Sequence, residues 1–219
     1  SVSDPSFPGD ENGVEVTLKA GSYGVGETGP AGYSANFSSD CNGTINIGEY
    51  KTCTVTNDDI APSITLIKNV INNNGGNAGV NNFGLTIGGY AILSGVPYAI
   101  NANQAYALNE AGLTGYSFVS LTGDPKCPSV LNGEVTLDEG ENITCTITND
   151  DQQSYIIVNK TVINNNGGSA VADNFLLTVD SNAVLDEVAY PVNPGTHTAG
   201  ETNLPGYTAG AWGGDCDIN

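Results

Sequence analysis

The stretch that decides the fold is ITLIKNVINNNGG at residues 64–76, which returns almost unchanged as IIVNKTVINNNGG at residues 156–168. A second segment, CTVTNDD at 53–59, returns as CTITNDD at 145–151. Repetition at this period predicts an array of one module, as in stalks, fibres and extended binding surfaces. A glutamate also stands six positions before the tyrosine of a Gly-Tyr pair in each repeat: Glu27/Tyr33, Glu110/Tyr116 and Glu201/Tyr207.

The repeats divide the chain into one complete module and two partial ones. We predict a complete module at residues 61–151, the C-terminal part of a module at 1–60, and the N-terminal part of another at 152–219. These segments are called the central, front and rear units below. Both partial units contain the Glu-to-Tyr segment and the first cysteine, so they are not two halves of one split domain. The chain is then either a window from a longer array or a subunit that awaits a neighbour's strand.

The charge of the chain excludes several classes of function. Twenty-four acidic side chains stand against five lysines without any arginine, which gives a formal charge of −19. Nucleic-acid phosphates need clustered cations, so we expect neither nucleic-acid binding nor attachment to an anionic membrane. No apolar run is long enough to insert into a membrane. We also find no Ser-His-Asp arrangement, metal-ligand cluster or glycine-rich phosphate loop, and therefore expect no enzymatic turnover and no cofactor.

The five cysteines follow the repeat. Cys41 and Cys53 hold the positions in the front unit that Cys127 and Cys145 hold in the central unit. Cys216 matches the first cysteine of each pair. We therefore predict the disulfides Cys41–Cys53 and Cys127–Cys145, an unpaired Cys216, and an oxidising extracellular location. The alternatives are buried free thiols or a metal site, although the chain has no Cys-x-x-Cys and only one histidine.

Short alternating segments predict an all-β fold. Residues 63–71, 82–87 and 143–148 alternate apolar and polar side chains, and turns rich in Gly, Asn and Asp separate such segments. Short strands at regular spacing within about 90 residues are typical of a β-sandwich.

Three polar side chains of the central unit fall on the core faces of their strands. Alternation puts Lys68 in line with Ile64 and Leu66. Glu110 and Asn149 lie among core positions of their own strands in the same way. A buried lysine is costly unless it is paired or neutralised, so these groups are the candidates for chemistry. The partial units repeat two of the three groups each: Lys160 with Glu201 in the rear unit, and Glu27 with Asn57 in the front unit.

This pattern resembles the collagen-adhesin B-type and pilin prealbumin-like domains, which are modules of bacterial surface proteins and pili. The resemblance rests on a lysine in the first strand, a glutamate before Gly-Tyr and an asparagine that ends the last strand. It implies tandem Ig-like or transthyretin-like β-sandwiches. In that family the lysine amine attacks the asparagine carboxamide, a glutamate shuttles protons, and ammonia leaves as an intramolecular isopeptide bond forms. The resemblance implies a bond between Lys68 and Asn149 with Glu110 as its catalyst.

An apolar site suits this chemistry, because it favours a neutral amine as nucleophile and a protonated carboxyl as proton donor. Contact between the groups supplies a high effective concentration. The competing interpretation is an ion pair of Lys68 with Glu110, with Asn149 as a hydrogen-bonding neighbour and no covalent bond. The front unit lacks its lysine strand and the rear unit its asparagine strand, so a neighbouring chain would have to complete either site. The aromatic residue that the family usually carries near the first lysine is missing from this sequence.

Two further sets of residues give weaker signals. Four carboxylates at the predicted junctions suggest a Ca²⁺ site, against the simpler interpretation of a solvated acidic linker: Asp58, Asp59, Asp150 and Asp151. The Asn-x-Ser/Thr sequons are candidates for glycosylation, although an asparagine-rich chain generates such sequons by chance: Asn36, Asn42, Asn142 and Asn159.

Together these features predict an extracellular structural repeat protein at the cell surface that forms a pilus-like filament, fibre or stalk. The expected partners are copies of the chain itself, joined head to tail, with strand complementation as one mode of joining. The alternative is an adhesin module that binds carbohydrate or protein through long loops at residues 88–105 and 117–134.

Overall fold

The described part of the chain is built almost entirely from short β-strands. A computed structural model describes residues 6–216. Within these residues the helical structure consists of three single-turn 3₁₀-helices, at Ser39–Cys41, Val80–Asn82 and Ala172–Asn174. None of the described helices is long and apolar enough to cross a membrane. The all-β prediction is therefore confirmed.

Eight strands of the central unit form two four-stranded sheets around one core. They are numbered after the four strands of the front unit: β5 (Ser63–Ile71), β6 (Leu85–Ile87), β7 (Tyr90–Ile92), β8 (Pro97–Ala99), β9 (Ala105–Glu110), β10 (Tyr116–Gly123), β11 (Gly133–Thr136) and β12 (Asn142–Asp151). The first sheet has the order β10-β12-β5-β8, and the second has the order β11-β9-β6-β7. This is the predicted β-sandwich.

The first and last strands of the central unit lie side by side in the middle of the first sheet. β5 and β12 run parallel, with Ser63 opposite Asn142 and Ile71 opposite Asp150. The other strand pairs of the two sheets are antiparallel. Parallel pairing of these two strands brings residues far apart in sequence to the same height in the sheet.

Alternation along the strands builds the core between the two sheets. Ile64 and Leu66 of β5 face Ile87 and Leu108 of the opposite sheet, and all four side chains are completely buried. Full burial of an aliphatic side chain of this size stabilises a fold by about 1.5–3 kcal/mol. Lys68 is also buried and continues the apolar row of β5, as the alternation predicts.

The front and rear units repeat parts of this arrangement. The front unit pairs β1 (Gly21–Gly24) with β3 (Asn42–Ile45), and β2 (Tyr33–Phe37) with β4 (Val55–Asp59). The rear unit pairs β13 (Ser154–Ile157) with β16 (Ala189–Val192). It also forms a three-stranded sheet of β15 (Asn182–Val184), β14 (Leu176–Val179) and β17 (Ala199–Thr202), in that order. These pairings match β9–β11, β10–β12, β5–β8 and β7-β6-β9 of the central unit.

The cysteines pair as the repeat predicts. One disulfide joins Cys41 to Cys53, and the other joins Cys127 to Cys145. Cys145 lies on the core face of β12, so the second disulfide joins the β10–β11 connection to the first sheet of the central unit. Among the described residues, Cys216 has no disulfide partner.

The two segments expected to be long loops are interrupted by strands, so that expectation is only partly correct. Residues 88–105 contain β7 and β8, and residues 117–134 contain most of β10 and the start of β11. The contact surface suggested for an adhesin would therefore consist of short strands and the connections between them rather than of two continuous loops.

Candidate cross-link site

Three strands from the two sheets bring the three predicted polar groups of the central unit together. Lys68 lies on β5, Asn149 on β12 and Glu110 at the end of β9 in the opposite sheet. Lys68 Nζ lies 2.8 Å from Glu110 Oε2 and donates a hydrogen bond of 2.6 Å to Asn149 Oδ1. The exposed fractions of the lysine and glutamate side chains are 0% and 1%. The amine therefore touches its proposed electrophile and its proposed proton carrier in a water-excluded site.

The strand register explains this meeting. In the parallel pair, Lys68 is opposite Ile147, and Asn149 is opposite Val70, two residues further along. Both side chains point to the core face, and the long lysine side chain spans the offset of two residues. The backbone N–H of Lys68 also donates to Ser94 Oγ at 2.8 Å, which fixes β5 beside the β7–β8 turn.

The surroundings of the site favour a neutral lysine. Burial removes water from the ammonium group and lowers the pKa of Lys68, although the hydrogen bond and the charge of Glu110 act in the opposite direction. Glu110 Oε1 is also buried and has no hydrogen-bond partner among the described residues. An amine whose pKa is lowered, beside a carboxyl oxygen without another partner, is the arrangement that nucleophilic attack requires.

An aromatic residue completes the site, so its apparent absence from the sequence is a wrong expectation. The ring of Phe83 lies 4.3 Å from Lys68 Nζ, measured to the ring centroid. The ring of Tyr116 meets Phe83 edge-on, with centroids 5.6 Å apart. The aromatic residue comes from the segment just before β6 rather than from the lysine strand. The repeated Asn-Phe at residues 82–83 and 174–175 was the sequence signal that would have found it.

The described part of the rear unit holds the same arrangement without the asparagine. Lys160 Nζ lies 2.7 Å from Glu201 Oε2 and 4.4 Å from the centroid of the Phe175 ring. Phe175 again meets a tyrosine, Tyr207, edge-on at 5.4 Å. The side chains of Lys160 and Glu201 are 15% and 11% exposed, so this site is less sealed than the central one.

The front unit holds the complementary part. Asn57 of β4 donates a hydrogen bond of 2.7 Å from Nδ2 to Glu27 Oε1. The structure therefore brings together each predicted pair or triplet: three groups in the central unit, and two in each partial unit.

The four carboxylates suggested as a Ca²⁺ site do not converge. Asp58 and Asp59 are exposed on β4, and within residues 6–216 no three acidic, histidine or cysteine side chains lie close enough to hold a metal ion. Asp151 instead binds the Asn-Asn-Asn-Gly-Gly loop that follows β5. Its carboxylate accepts backbone N–H groups of Asn73, Asn74 and Gly76 at 2.9, 2.9 and 2.6 Å. The Ca²⁺ site stays a prediction, and Asp151 has this other role.

The four sequon asparagines, Asn36, Asn42, Asn142 and Asn159, are all exposed. The side chain of Asn142 accepts a hydrogen bond from Ser63 Oγ at 2.5 Å and donates one to the carbonyl of Gly140 at 3.0 Å. Their glycosylation stays a prediction.

Comparison with known families agrees with this fold. A model of the prealbumin-like fold domain matches the chain twice, at residues 58–147 and 151–217. The two matches cover well over half of the chain, so the chain belongs to the prealbumin-like fold domain family. This confirms the resemblance that the lysine, glutamate and asparagine pattern indicated.

Among solved structures, the chain is similar to the major pilin protein (T3.2) from Streptococcus pyogenes serotype GAS13637. The sequence identity is 16% and the TM-score is 0.30. The match covers 58% of this chain and 65% of that pilin, which is less than two thirds of the pilin's length. No curated protein matches the sequence.

Proposed function

We propose that the protein is a structural component of an extracellular surface filament, and that its central module carries a self-formed isopeptide cross-link between Lys68 and Asn149. The observation that carries this proposal is the contact of Lys68 Nζ with both Glu110 and Asn149 inside a sealed core. Such a triplet does not suit the turnover of a substrate, because no bound molecule can reach it. The reaction open to it is the formation of a bond within the module.

The chemistry balances without any cofactor. The neutral amine of Lys68 attacks Cγ of Asn149, so that an Nζ–Cγ bond forms and the Cγ–Nδ2 bond breaks. Glu110 accepts a proton from the attacking amine and delivers one to the leaving nitrogen, which departs as ammonia. Phe83 and the core side chains exclude the water that would stabilise the charged ammonium.

The filament role has independent support from the architecture. Repeated modules of one family, two disulfides and a strongly acidic surface suit a soluble, mechanically stable array outside the cell. Copies of the chain are the proposed partners, joined head to tail. Completion of the rear Lys160 site or of the front Asn57 site by a strand from another copy is one such junction.

Intact mass of the purified, reduced protein tests the cross-link. Loss of one ammonia gives a mass deficit of about 17 Da. We expect this deficit in the natural sequence and its absence in Glu110→Gln, which removes the proton carrier but keeps the shape of the side chain. Glu201→Gln is the matched control, because it makes the same change in the rear site, where no asparagine is present among the described residues, and it should keep the deficit.

The result also separates the two interpretations of the triplet. Full mass in the natural sequence means that Lys68 and Glu110 form only an ion pair, and the cross-link is then wrong. A fragment spectrum after proteolysis should locate the bond, since peptides that contain Lys68 and Asn149 stay joined.

A further inference from the structure

The junction between the front and central units is a close contact between glycines. A Cβ added to Gly32 would overlap the backbone of Glu139, and a Cβ on Gly140 would lie 3.0 Å from Cα of Gly32. Ile60 ties the two together, since its N–H donates to the carbonyl of Gly32 and its carbonyl accepts from Gly140, at 2.8 and 2.7 Å. The Gly-Tyr pair of one unit therefore docks on the β11–β12 turn of the next.

The junction between the central and rear units shows a second contact. A Cβ on Gly75 would lie 2.8 Å from side-chain atoms of both Asn193 and Pro194. Gly75 belongs to the loop that Asp151 holds through its backbone N–H groups. The loop after the first strand therefore docks on the turn that follows β16 in the next unit.

Within the central unit, the elements of these two contacts lie together at opposite ends. At one end lie the two turns on which a preceding unit docks. Asn101 is the counterpart of Asn193, and Asn103, two residues further on, donates from Nδ2 to Glu139 Oε1 at 2.8 Å, so these two turns are neighbours. We call this end the head.

At the other end of the central unit, Tyr116 OH accepts from the N–H of Ala78 at 2.9 Å and donates to Asn72 Oδ1, so the Gly-Tyr pair adjoins the glycine loop. We call this end the tail. A complete interface between two units therefore has two contacts. The front–central junction shows the contact of the Gly-Tyr pair, and the central–rear junction shows the contact of the glycine loop.

The chain also presents one tail with both contact points unfilled and one exposed head. In the central tail only Gly115 is open, because Gly75 already meets the rear unit. In the rear unit, a Cβ on Gly167 or Gly206, the counterparts of Gly75 and Gly32, has no described atom within 4 Å. An open concavity at this tail is lined by residues 167–170 together with Leu204 and Tyr207. In the front unit, Ile47 takes the place of Glu139 at the head and is 95% exposed. Tyr50, three residues further on, is 88% exposed. Two large apolar side chains exposed together form a small patch of the kind that marks a contact surface.

We infer that the tail of the rear unit docks the head of the front unit of a second copy of this chain, with Ile47 packed against Gly206 and the concavity beside it. The inference deepens the proposed filament role and rests on it. The contact lacks the covalent linker that Ile60 supplies inside the chain, so it is weaker than the internal junctions. Assembly should therefore depend on concentration and proceed in one direction, head to tail.

Sedimentation velocity of the full chain over a range of concentrations tests this docking, with Cys216 alkylated to exclude intermolecular disulfides. We expect the natural sequence to associate progressively. Ile47→Asp changes only the head and Gly206→Asn changes only the tail, and asparagine tolerates the φ of +86° at that glycine. Each should raise the concentration needed for association at least about tenfold. Gly115→Asn, at φ +82° in a tail already joined to the rear unit, is the matched control and should associate normally.

Mixing the two variants tests direction. Ile47→Asp keeps a working tail and Gly206→Asn keeps a working head, so the mixture should form dimers and nothing larger. A natural sequence that stays monomeric, or variants that associate as it does, would overturn the docking. All these variants retain Lys68, Glu110 and Asn149, so the mass deficit of about 17 Da reports separately on the proposed cross-link.

Discussion

The central and rear sites contain the same lysine, glutamate, phenylalanine and tyrosine, yet only the central one is sealed. The distance from lysine to glutamate differs by 0.1 Å between them, at 2.8 and 2.7 Å, and the phenylalanine rings lie at 4.3 and 4.4 Å. The exposed fraction of the lysine side chain is 0% in the central site and 15% in the rear site. The central site differs in having β12, which pairs with the lysine strand and supplies Asn149.

This difference assigns separate tasks to the parts of a module. The first strand and the opposite sheet suffice to place the lysine, the carboxylate and the aromatic ring. The last strand adds Asn149 and excludes water in the same step, so the proposed reaction would begin only when the fold is complete.

The largest effect should come from removing the lysine. Lys68→Ala prevents the cross-link and leaves Glu110 buried without its partner, and breaking a buried pair in this way costs about 3–5 kcal/mol. Lys160→Ala should cost clearly less, because the rear pair is partly exposed. Differential scanning calorimetry of both variants measures this. Equal losses of stability would mean that sealing by β12 has no energetic consequence.

Replacing the aromatic ring should have the next largest effect. Phe83→Leu keeps an apolar side chain but removes the ring that covers Lys68 Nζ, so water can reach the amine and stabilise its charged, unreactive form. We expect slower bond formation, seen as a mixture of cross-linked and full masses in freshly purified protein. Phe175→Leu should keep the complete deficit of about 17 Da from its calculated mass. A complete deficit in both variants would show that the ring has no part in bond formation.

The Asn-Asn-Asn-Gly-Gly loops of the central and rear units should differ in how their stability depends on pH in the acid range. Burial raises the pKa of Asp151, but the N–H groups of Gly76, Asn74 and Asn73 outweigh it and hold the pKa below its usual 3.8. A carboxyl group whose pKa is lower in the folded than in the unfolded state stabilises the fold at any pH above the unfolded pKa. This stabilisation is lost as the pH falls through the folded pKa. Hydrogen exchange at residues 73–76 should therefore accelerate only below pH 3.8.

Two comparisons make the exchange measurement decisive. Asp151→Asn should expose residues 73–76 to exchange at neutral pH, because an amide accepts these bonds more weakly than a carboxylate. The loop at 164–168, where no described carboxylate takes this role, should exchange faster than 72–76 in the natural protein. Equal protection of the two loops would contradict the role given to Asp151.

The smallest expected effect concerns His197 of the rear unit. Its hydrogen bonds with Asp180 and with the carbonyl of Asn193 raise the pKa of His197 above 6.5. The stabilisation from the charged pair is complete below pH 6.5 and is lost as pH rises through the folded pKa. Because the chain has one histidine, its NMR titration is unambiguous. Asp180→Asn should lower the midpoint, and an unchanged midpoint would contradict the pairing.

The repeat and the alternation of side chains were enough to predict the sandwich, the cysteine pairs and the meeting of Lys68, Glu110 and Asn149. These predictions succeeded because strand periodicity fixes which face a side chain takes, and the repeat shows which positions are equivalent. Phe83 was missed because it approaches the lysine from the opposite sheet, at a distance in sequence that periodicity does not report.

Asp151 shows a different limit of the sequence. A pair of carboxylates at each junction suggested cation binding, since nothing in the sequence reveals that backbone N–H groups donate to one of them, Asp151. The strands within 88–105 and 117–134, two segments expected to be loops, were missed for a related reason. Short strands at a sheet edge are defined by their partners and not by their own composition.

The parallel pairing of β5 and β12 also decides how far the chain can lengthen under tension. Lys68 and Asn149 are 81 residues apart in sequence but in contact in the sheet. Unravelling that segment would release roughly 270 Å of contour length, at about 3.3 Å per residue. With the proposed bond between Lys68 and Asn149 in place, force applied at the two ends of the module would pass through β5, that bond and the last residues of β12. The intervening segment would carry no tension, and the module would be inextensible while its loops stayed free to fluctuate.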